Sequence, residues 1–354
     1  MESFLDKTFQ YIAAIIFLFR GILYPQPFQN SITGIILDIS TQEPLPNVNI
    51  YISNTTWRTT SQIDGSFILS SIIPGNHEIV FSMIGYDSHS QLIKVNDSSK
   101  IFLRVDLIPK IYKVSDITIT ANRPEEWFDD LEIFKKHFLG YSPYSLECVF
   151  VNEYEINFEH PKKKVLTAQS DNPIEIINYK LGYNIKCEIL NFEYSQSLKR
   201  CDYTYRLFFT ELDTNDLDTK EDWETNRIKK YKESLAYFLR SLSQGTFRDN
   251  GFEISSVYKP LNTGVEILES SELISLDPRT ETFKLHFSEF LEVYNYNIDM
   301  KDSRLSWLRL NYPSITIDKY GYPLEDRAIT IYGYWGELGI AIFLPKYFTT
   351  DKTD

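Results

Sequence analysis

Sulfur and imidazole are scarce in this chain of 354 residues, which holds 3 Cys, 3 Met and 5 His. Cys148, Cys187 and Cys201 are odd in number and widely spaced, which excludes both a disulfide framework and a C-x-x-C metal or redox site. A Cys187–Cys201 bridge stays open in an oxidising compartment; buried free thiols are the expected state. The first cysteine, Cys148, lies too far along the chain to carry a lipoprotein anchor. Positive charge is also short: Lys+Arg number 36 against 49 Asp+Glu, a net charge of −13. The longest basic run, Lys162-Lys163-Lys164, is no clustered basic surface, so a nucleic-acid partner is excluded. The sequence holds no G-x-S-x-G elbow, P-loop or G-x-G-x-x-G, and so no local signal for a hydrolase, an NTPase or a dinucleotide enzyme.

Long hydrophobic runs are missing too. The run Tyr11 to Phe19 (YIAAIIFLF) has nine apolar residues, where a membrane span needs about 20. Its length suits the apolar segment of a secretory signal, about 7–15 residues. Residues 1–30 are therefore expected to be a signal peptide or N-terminal anchor, and the protein to be exported to the periplasm or the outer-membrane surface. The first seven residues, MESFLDK, carry two acids against one lysine, and no A-x-A cleavage site follows. Those two features leave an uncleaved anchor and a buried helix as the other readings.

Aromatics are abundant: 24 Tyr, 24 Phe and 5 Trp make up 15% of the chain. That bias favours pleated sheet. At about 100–200 residues per domain, the length allows two or three domains. From Ile32 to about Pro109, short strands alternate with turns whose chemistry is explicit. Pro44-Leu45-Pro46-Asn47 fixes φ before Val48 to Ile52. Asp64-Gly65 supplies the positive φ of a tight hairpin, and Pro74-Gly75-Asn76 does so one strand later. Strands at this spacing imply a small antiparallel sandwich.

The order Gly34-x-x-x-Asp38, Pro44-Leu45-Pro46-Asn47-Val48-Asn49-Ile50, Thr55, Asp64-Gly65-Ser66-Phe67, Ile73-Pro74-Gly75 and Ser82-x-x-Gly85-Tyr86 resembles the carboxypeptidase regulatory-like domain. The resemblance covers some 78 residues. It implies a prealbumin-like β-sandwich acting as an accessory module, common at the N-terminus of exported proteins of Bacteroidetes-type bacteria, with no catalytic residue carried over. Trp57-Arg58-Thr59 departs from the family, which often has a Gly-rich turn there.

After the sandwich, assigned to residues 31–121, Lys113 to Ala121 alternates as a closing strand or tether. A helix is predicted from Pro124 to Gly140, with Trp127, Leu131, Phe134 and Phe138 on one stripe. A second is predicted from about Lys220 to Ser243, stopped by Gly245. The stretches Leu146 to Phe158, Val165 to Ser170, Ile174 to Phe192, Asp202 to Leu212, Val265 to Ser275, Thr282 to Val293, Ser314 to Asp318 and Ile329 to Leu344 read as strands. Residues 122–354 are thus expected to form an α+β domain with a large antiparallel sheet and two main helices, and the whole chain to be mainly β. Phe138-Leu139-Gly140, Asn152-Glu153, Leu181-Gly182-Tyr183 and the run from Arg227 to Arg240 make this part similar to a region that follows the sandwich in Bacteroidetes envelope proteins, a resemblance that brings no activity with it.

Candidate sites are few. His286-Phe-Ser-Glu289 has the H-x-x-E spacing of a zinc carboxypeptidase, but no later His supplies the third ligand. Read as a strand, the stretch also sends residues three apart to opposite faces. No catalytic, cofactor or metal residue is assigned. Arg227 and Tyr231 share a helix face with Ser234 and Phe238, which aims them into a pocket or packs them on the sheet. Trp57 and Tyr86, near turns of the sandwich, are placed to stack on a sugar or to belong to the core. A glycosidase-type carboxylate pair can be neither inferred nor dismissed among 49 acids. The leading expectation is a non-enzymatic exported cell-envelope protein whose sandwich is a scaffold or interaction module, with an envelope protein or glycan as partner and membrane association left open. The alternatives are a carbohydrate- or peptide-binding accessory of a nutrient-uptake system, a hydrolase with an unrecognised carboxylate site, and a transmembrane barrel.

Overall fold

Two short sheets face each other across the apolar residues of the first hundred positions. In the computed structural model, residues 30–110 and 123–350 are described, apart from 97, 268, 300–303 and 326. The expected signal or anchor segment, apart from Asn30, and the stretch from Lys113 to Ala121 lie outside them. Strands β1 (Ser31–Asp38), β2 (Asn49–Ile52), β3 (Arg58–Thr60), β4 (Ser66–Ser70), β5 (Gly75–Ser82), β6 (His89–Val95) and β7 (Lys100–Leu107) form sheets ordered β4-β1-β7 and β3-β2-β5-β6. Every pairing is antiparallel except β1 with β7, which run parallel from Ser31↔Lys100 to Asp38↔Leu107. Alternate residues such as Ile32, Ile36, Ile50, Phe67, Phe81 and Val105 fill the space between the sheets, as a period of two requires. The sandwich anticipated from the turn motifs is present; Gly65 sits at φ +73, but the turn it serves passes from β3 in one sheet to β4 in the other, so the expected hairpin is a crossing between sheets.

Beyond it, α1 (Glu125–Leu139) lays Trp127, Leu131, Phe134 and Phe138 on a six-stranded sheet. That sheet comprises β8 (Cys148–Phe150), β9 (Ile156–Lys162), β10 (Val165–Ser170), β11 (Ile174–Asn178), β12 (Tyr183–Ser195) and β13 (Arg200–Glu211), ordered β8-β11-β12-β10-β9 with β13 along β12. The expected strand Leu146 to Phe158 is broken. A 3-10 turn covers Pro143–Glu147 and another covers Glu153–Glu155. Asn152 interrupts the ladder, its Oδ1 accepting from Glu175 N–H at 2.8 Å and its Nδ2 donating to Pro173 O at 3.1 Å.

The helix expected from Lys220 to Ser243 is two helices, α2 (Leu217–Lys232) and α3 (Leu235–Ser243). The break has a local cause: the Ser234 hydroxyl accepts from Tyr237 N–H at 3.1 Å and starts a new helix as its N-cap. The remaining strands are β14 (Phe252–Val257), β15 (Val265–Glu266), β16 (Ile274–Asp277), β17 (Thr282–Leu285), β18 (Phe290–Asn295), β19 (Leu305–Leu310), β20 (Ile315–Ile317) and β21 (Ile329–Gly333). They make one sheet ordered β15-β14-β18-β19-β21 and another ordered β16-β17-β20. Phe238, Leu239 and Leu242 of α3 belong to the core of this part. Where Ile329 to Leu344 was expected to be one strand, the strand stops at Gly333, at φ +70, and 3-10 turns follow at Tyr334–Gly336 and Ile340–Ile342.

Candidate functional site

The three parts meet around one turn and one terminal segment. In the turn after β2, the Thr55 hydroxyl donates to Ile52 O at 2.9 Å and accepts from Trp57 N–H at 3.0 Å, which shapes the loop before β3. The loop then joins β13 on the side away from β12. Asn54 N–H donates to Leu207 O at 2.7 Å, and Phe209 N–H donates to Thr55 O at 3.0 Å. An otherwise open sheet edge is thereby covered. On its other side, Lys346 N–H donates to Asn54 O at 2.6 Å. Beside the loop, Arg206 donates to Glu78 at 2.7 Å, Glu188 at 3.1 Å and Ser90 at 2.8 Å.

Trp57, half-buried, stacks on Tyr347 at 5.6 Å and meets His77 edge-on at 5.8 Å. His77 is itself buried, and its Nε2 lies 2.6 Å from Ile73 O. Tyr231 is buried, with its hydroxyl 3.1 Å from Arg240 Nη1 and its ring edge-on to Phe348 at 5.7 Å. Arg227 is buried over the Tyr183 ring at 4.0 Å and donates to Leu181 O at 2.7 Å and Gly182 O at 2.9 Å. It also reaches Glu211 at 3.2 Å. Three of the four candidate residues therefore gather near Phe348: Trp57 through the neighbouring Tyr347, Tyr231 by ring contact, and Arg227 in a cavity of about 270 Å³ that Phe348 also lines. Tyr86 is not among them. Its hydroxyl donates to Asp38 Oδ2 at 2.8 Å, and the Asp38 Oδ1 accepts from the Ser40 and Thr41 amides, closing the turn after β1.

The larger feature of this junction is a groove of about 380 Å³. Tyr205, Tyr231, Tyr322, Trp335, Phe343 and Lys346 line it, drawn from β13, α2 and the chain beyond β20. Behind Tyr322, Asp318 accepts from the amides of Tyr320 and Tyr322, both at 2.9 Å, and burial raises its carboxyl pKa. Burial likewise holds the Lys346 ammonium below the usual lysine range. Reading Ile329 to Leu344 as strand hid the groove's terminal wall, because Leu338, Phe343 and Lys346 reach it from turns and extended chain. Gly333, Gly336 and Gly339 inside the stretch were the available signal that it is not one continuous strand.

His286 and Glu289 fall in the turn between β17 and β18 and are both exposed, so the alternation ascribed to one strand through them is corrected. Among the described residues, no group of three or more His, Cys, Asp or Glu is placed to hold a metal ion, and no helix is long and apolar enough to cross a membrane.

The parallel β1–β7 pair, the two facing sheets and the Gly65 and Gly75 turns define the N-terminal part as a prealbumin-like sandwich module. Residues 32–119 match the sequence model of the CarboxypepD_reg-like domain. No curated protein matches the chain. Among solved structures, a cohesin–X-dockerin complex of Acetivibrio cellulolyticus is similar at 18% identity, over 32% of this chain and 76% of that one, with a TM-score of 0.21. The TIE protein of Bacillus anthracis is similar at 13% identity over 52% of this chain and 31% of that one, TM-score 0.20. A candidate carbohydrate-binding protein of Bacteroides uniformis is similar at 10% identity over 82% of this chain and 99% of that one, TM-score 0.20.

Proposed function

We propose that this is an exported cell-envelope protein that catalyses no reaction and whose sandwich is the scaffold of an interaction module. The observation that carries the scaffold role is the clasp at Asn54: one loop of the sandwich bonds to β13 on one side and to the terminal segment on the other. A tethered but independent module would have a solvated linker at that place; this one shares backbone hydrogen bonds with both neighbours. The four candidate side chains support the same reading. Tyr86, Arg227 and Tyr231 spend their polar groups on Asp38, on the Leu181 and Gly182 carbonyls with Glu211, and on Arg240, which holds loops, strands and helices together, and Trp57 packs by ring contact on Tyr347 and His77.

Export is supported by the length of the apolar run Tyr11 to Phe19 and by the CarboxypepD_reg-like match that follows it. Fractionation of the producing cells, with N-terminal sequencing of the product, tests the proposal. The expected result is an envelope-associated protein lacking about the first 25–30 residues, since such signals are removed on maturation. An intact Met1 on cytoplasmic protein would overturn it. Cross-linking in intact cells is expected to join the protein to an envelope partner, and Asn54→Pro, which removes the amide bonded to Leu207, is expected to weaken that product.

A further inference from the structure

The groove departs from the charge balance of the chain. Among the described residues its lining holds two lysines, Lys230 and Lys346, and no Asp or Glu, in a protein with 49 acids against 36 bases. Lys230 is neutralised by Glu233, 2.6 Å away, the two side chains being 7% and 3% exposed. Lys346 is not. Its ammonium lies over the rings of Tyr322 at 5.0 Å and Tyr347 at 6.0 Å, and no carboxylate among the described residues stands within ion-pair distance of it. Asp318 acts on it only at longer range and already accepts two backbone amides.

Most of the rest of the lining is apolar, with the Asn54 amide and the Tyr205, Tyr231, Tyr322 and Ser234 hydroxyls as its further polar groups. The Ser234 hydroxyl donates to Tyr231 O at 2.7 Å and accepts from Tyr237 N–H. Ile331, Trp335, Leu338 and Phe343 present hydrocarbon. The volume of about 380 Å³ falls within the about 300–1,000 Å³ usual for small-ligand sites. A sugar placed there would leave most hydroxyls unpaired, at about 1–3 kcal/mol each. An alkyl chain would instead gain about 25 cal/mol for each Å² it buries. A cation with no carboxylate within ion-pair distance among the described residues, at the end of an apolar wall, is the complement of a long-chain monoanion.

We propose that this groove binds a free fatty acid, its alkyl chain against Trp335, Leu338 and Phe343 and its carboxylate paired with the Lys346 ammonium. The carboxylate restores the charge pairing that burial denies the lysine, so the headgroup sets the orientation and the wall supplies most of the affinity.

The test is calorimetric titration of the full chain with dodecanoate, dodecanol and dodecyltrimethylammonium, each below its micelle concentration. Saturable uptake of one equivalent of dodecanoate is expected, with the alcohol and the ammonium compound about tenfold weaker or more, the loss that follows from a missing charge-assisted hydrogen bond. Lys346→Met is expected to lower dodecanoate affinity by about tenfold and to leave dodecanol unchanged. Lys346→Arg is expected to stay close to the parent, and Ala236→Trp, which fills the groove, to abolish both. The comparison of the three ligands on the parent protein decides the matter even if a variant fails to fold. No saturable dodecanoate uptake, or dodecyltrimethylammonium binding as tightly as dodecanoate, overturns the proposal, whether the groove is then empty or occupied by another part of this chain. So does parental dodecanoate affinity in folded Lys346→Met.

Discussion

Arg206 of β13 and Glu78 of β5 meet at 2.7 Å across the boundary between the sandwich and the six-stranded sheet, and the same guanidinium also takes Glu188 at 3.1 Å. With side-chain exposures of 17% and 29%, the pair is partly desolvated. It is therefore stronger than a surface ion pair and weaker than a fully buried one. Arg206→Ala is expected to destabilise the protein by about 1–3 kcal/mol. A double-mutant cycle with Glu78→Ala in urea unfolding checks this; additive losses would mean that the two residues do not cooperate.

Lys230 and Glu233 make the more consequential pair. Glu233 also accepts from the Tyr334 hydroxyl at 3.0 Å, so Glu233→Ala strips two donors of their partner and leaves a buried ammonium uncompensated. Loss of about 3–5 kcal/mol is expected, and a doubly apolar Lys230→Met, Glu233→Leu chain should recover most of it. Equilibrium unfolding of the parent and both variants measures both values.

His77 ties stability to acid. Burial, its largest influence, pulls its pKa from 6.5 down to about 4, so the folded protein keeps the ring neutral where the unfolded chain protonates it. Its contribution is fully present above about pH 6.5 and declines as pH falls toward about 4, by on the order of 3 kcal/mol in all. Asp318 acts with the opposite sign. Its carboxyl pKa is raised above 3.8 by burial, so its destabilising effect appears as pH rises above that value. Unfolding midpoints of parent and His77→Gln between about pH 7 and about pH 4.5 separate the two, because only the His77 slope should vanish in the variant.

The three thiols are expected to be slow. In the β12–β13 ladder Cys187 lies opposite Leu207 and Cys201 opposite Tyr194. The two are thus separated by roughly 20 Å along the strands, several times the Cα separation of about 4–7 Å that a disulfide allows. All three are free, and burial pushes Cys148 and Cys201 up to about 12. A thiol reagent near neutral pH should label the native protein slowly and the denatured protein at all three positions. Two labels fewer under denaturing, non-reducing conditions would reveal a bridge.

Gly140 ends α1 at φ +82, and a Cβ there would overlap the backbone of Gly339. Gly140→Ala is expected to cost about 1–3 kcal/mol and to separate the end of α1 from the chain segment that carries Leu338. Because Leu338 lines the groove, the same variant should weaken dodecanoate binding. Thermal unfolding and calorimetry of that one protein test both effects.

Local chemistry was sufficient for the sandwich and for the stripe of α1. Gly65 and Gly75 can take the positive φ that their turns need and that other residues rarely adopt, and Trp127, Leu131, Phe134 and Phe138 at helical spacing have one face to bury. Asp38 and Tyr86, 48 residues apart, belong to the same motif because one closes a turn by bonding the other. Where a single side chain redirects the backbone, the pattern misled. Ser234 divides an otherwise continuous helical stripe, and Asn152 breaks a run rich in β-branched residues, each by hydrogen bonds to backbone that periodicity does not register.

The amino-acid sequence by itself therefore determined the sheet-rich class, the N-terminal regulatory-like module, the first helix and the net acidic charge, because each rests on composition, turn chemistry or short spacing. The groove was decided by the tertiary structure alone. Lys346 meets Tyr205 and Tyr231 only after β13, α2 and the terminal segment have packed around the Asn54 loop. Whether a lysine in an acidic chain ends up paired, as Lys230 is, or facing an apolar wall, as Lys346 does, depends on which carboxylates the fold brings within a few ångströms, and no local pattern contains that distance.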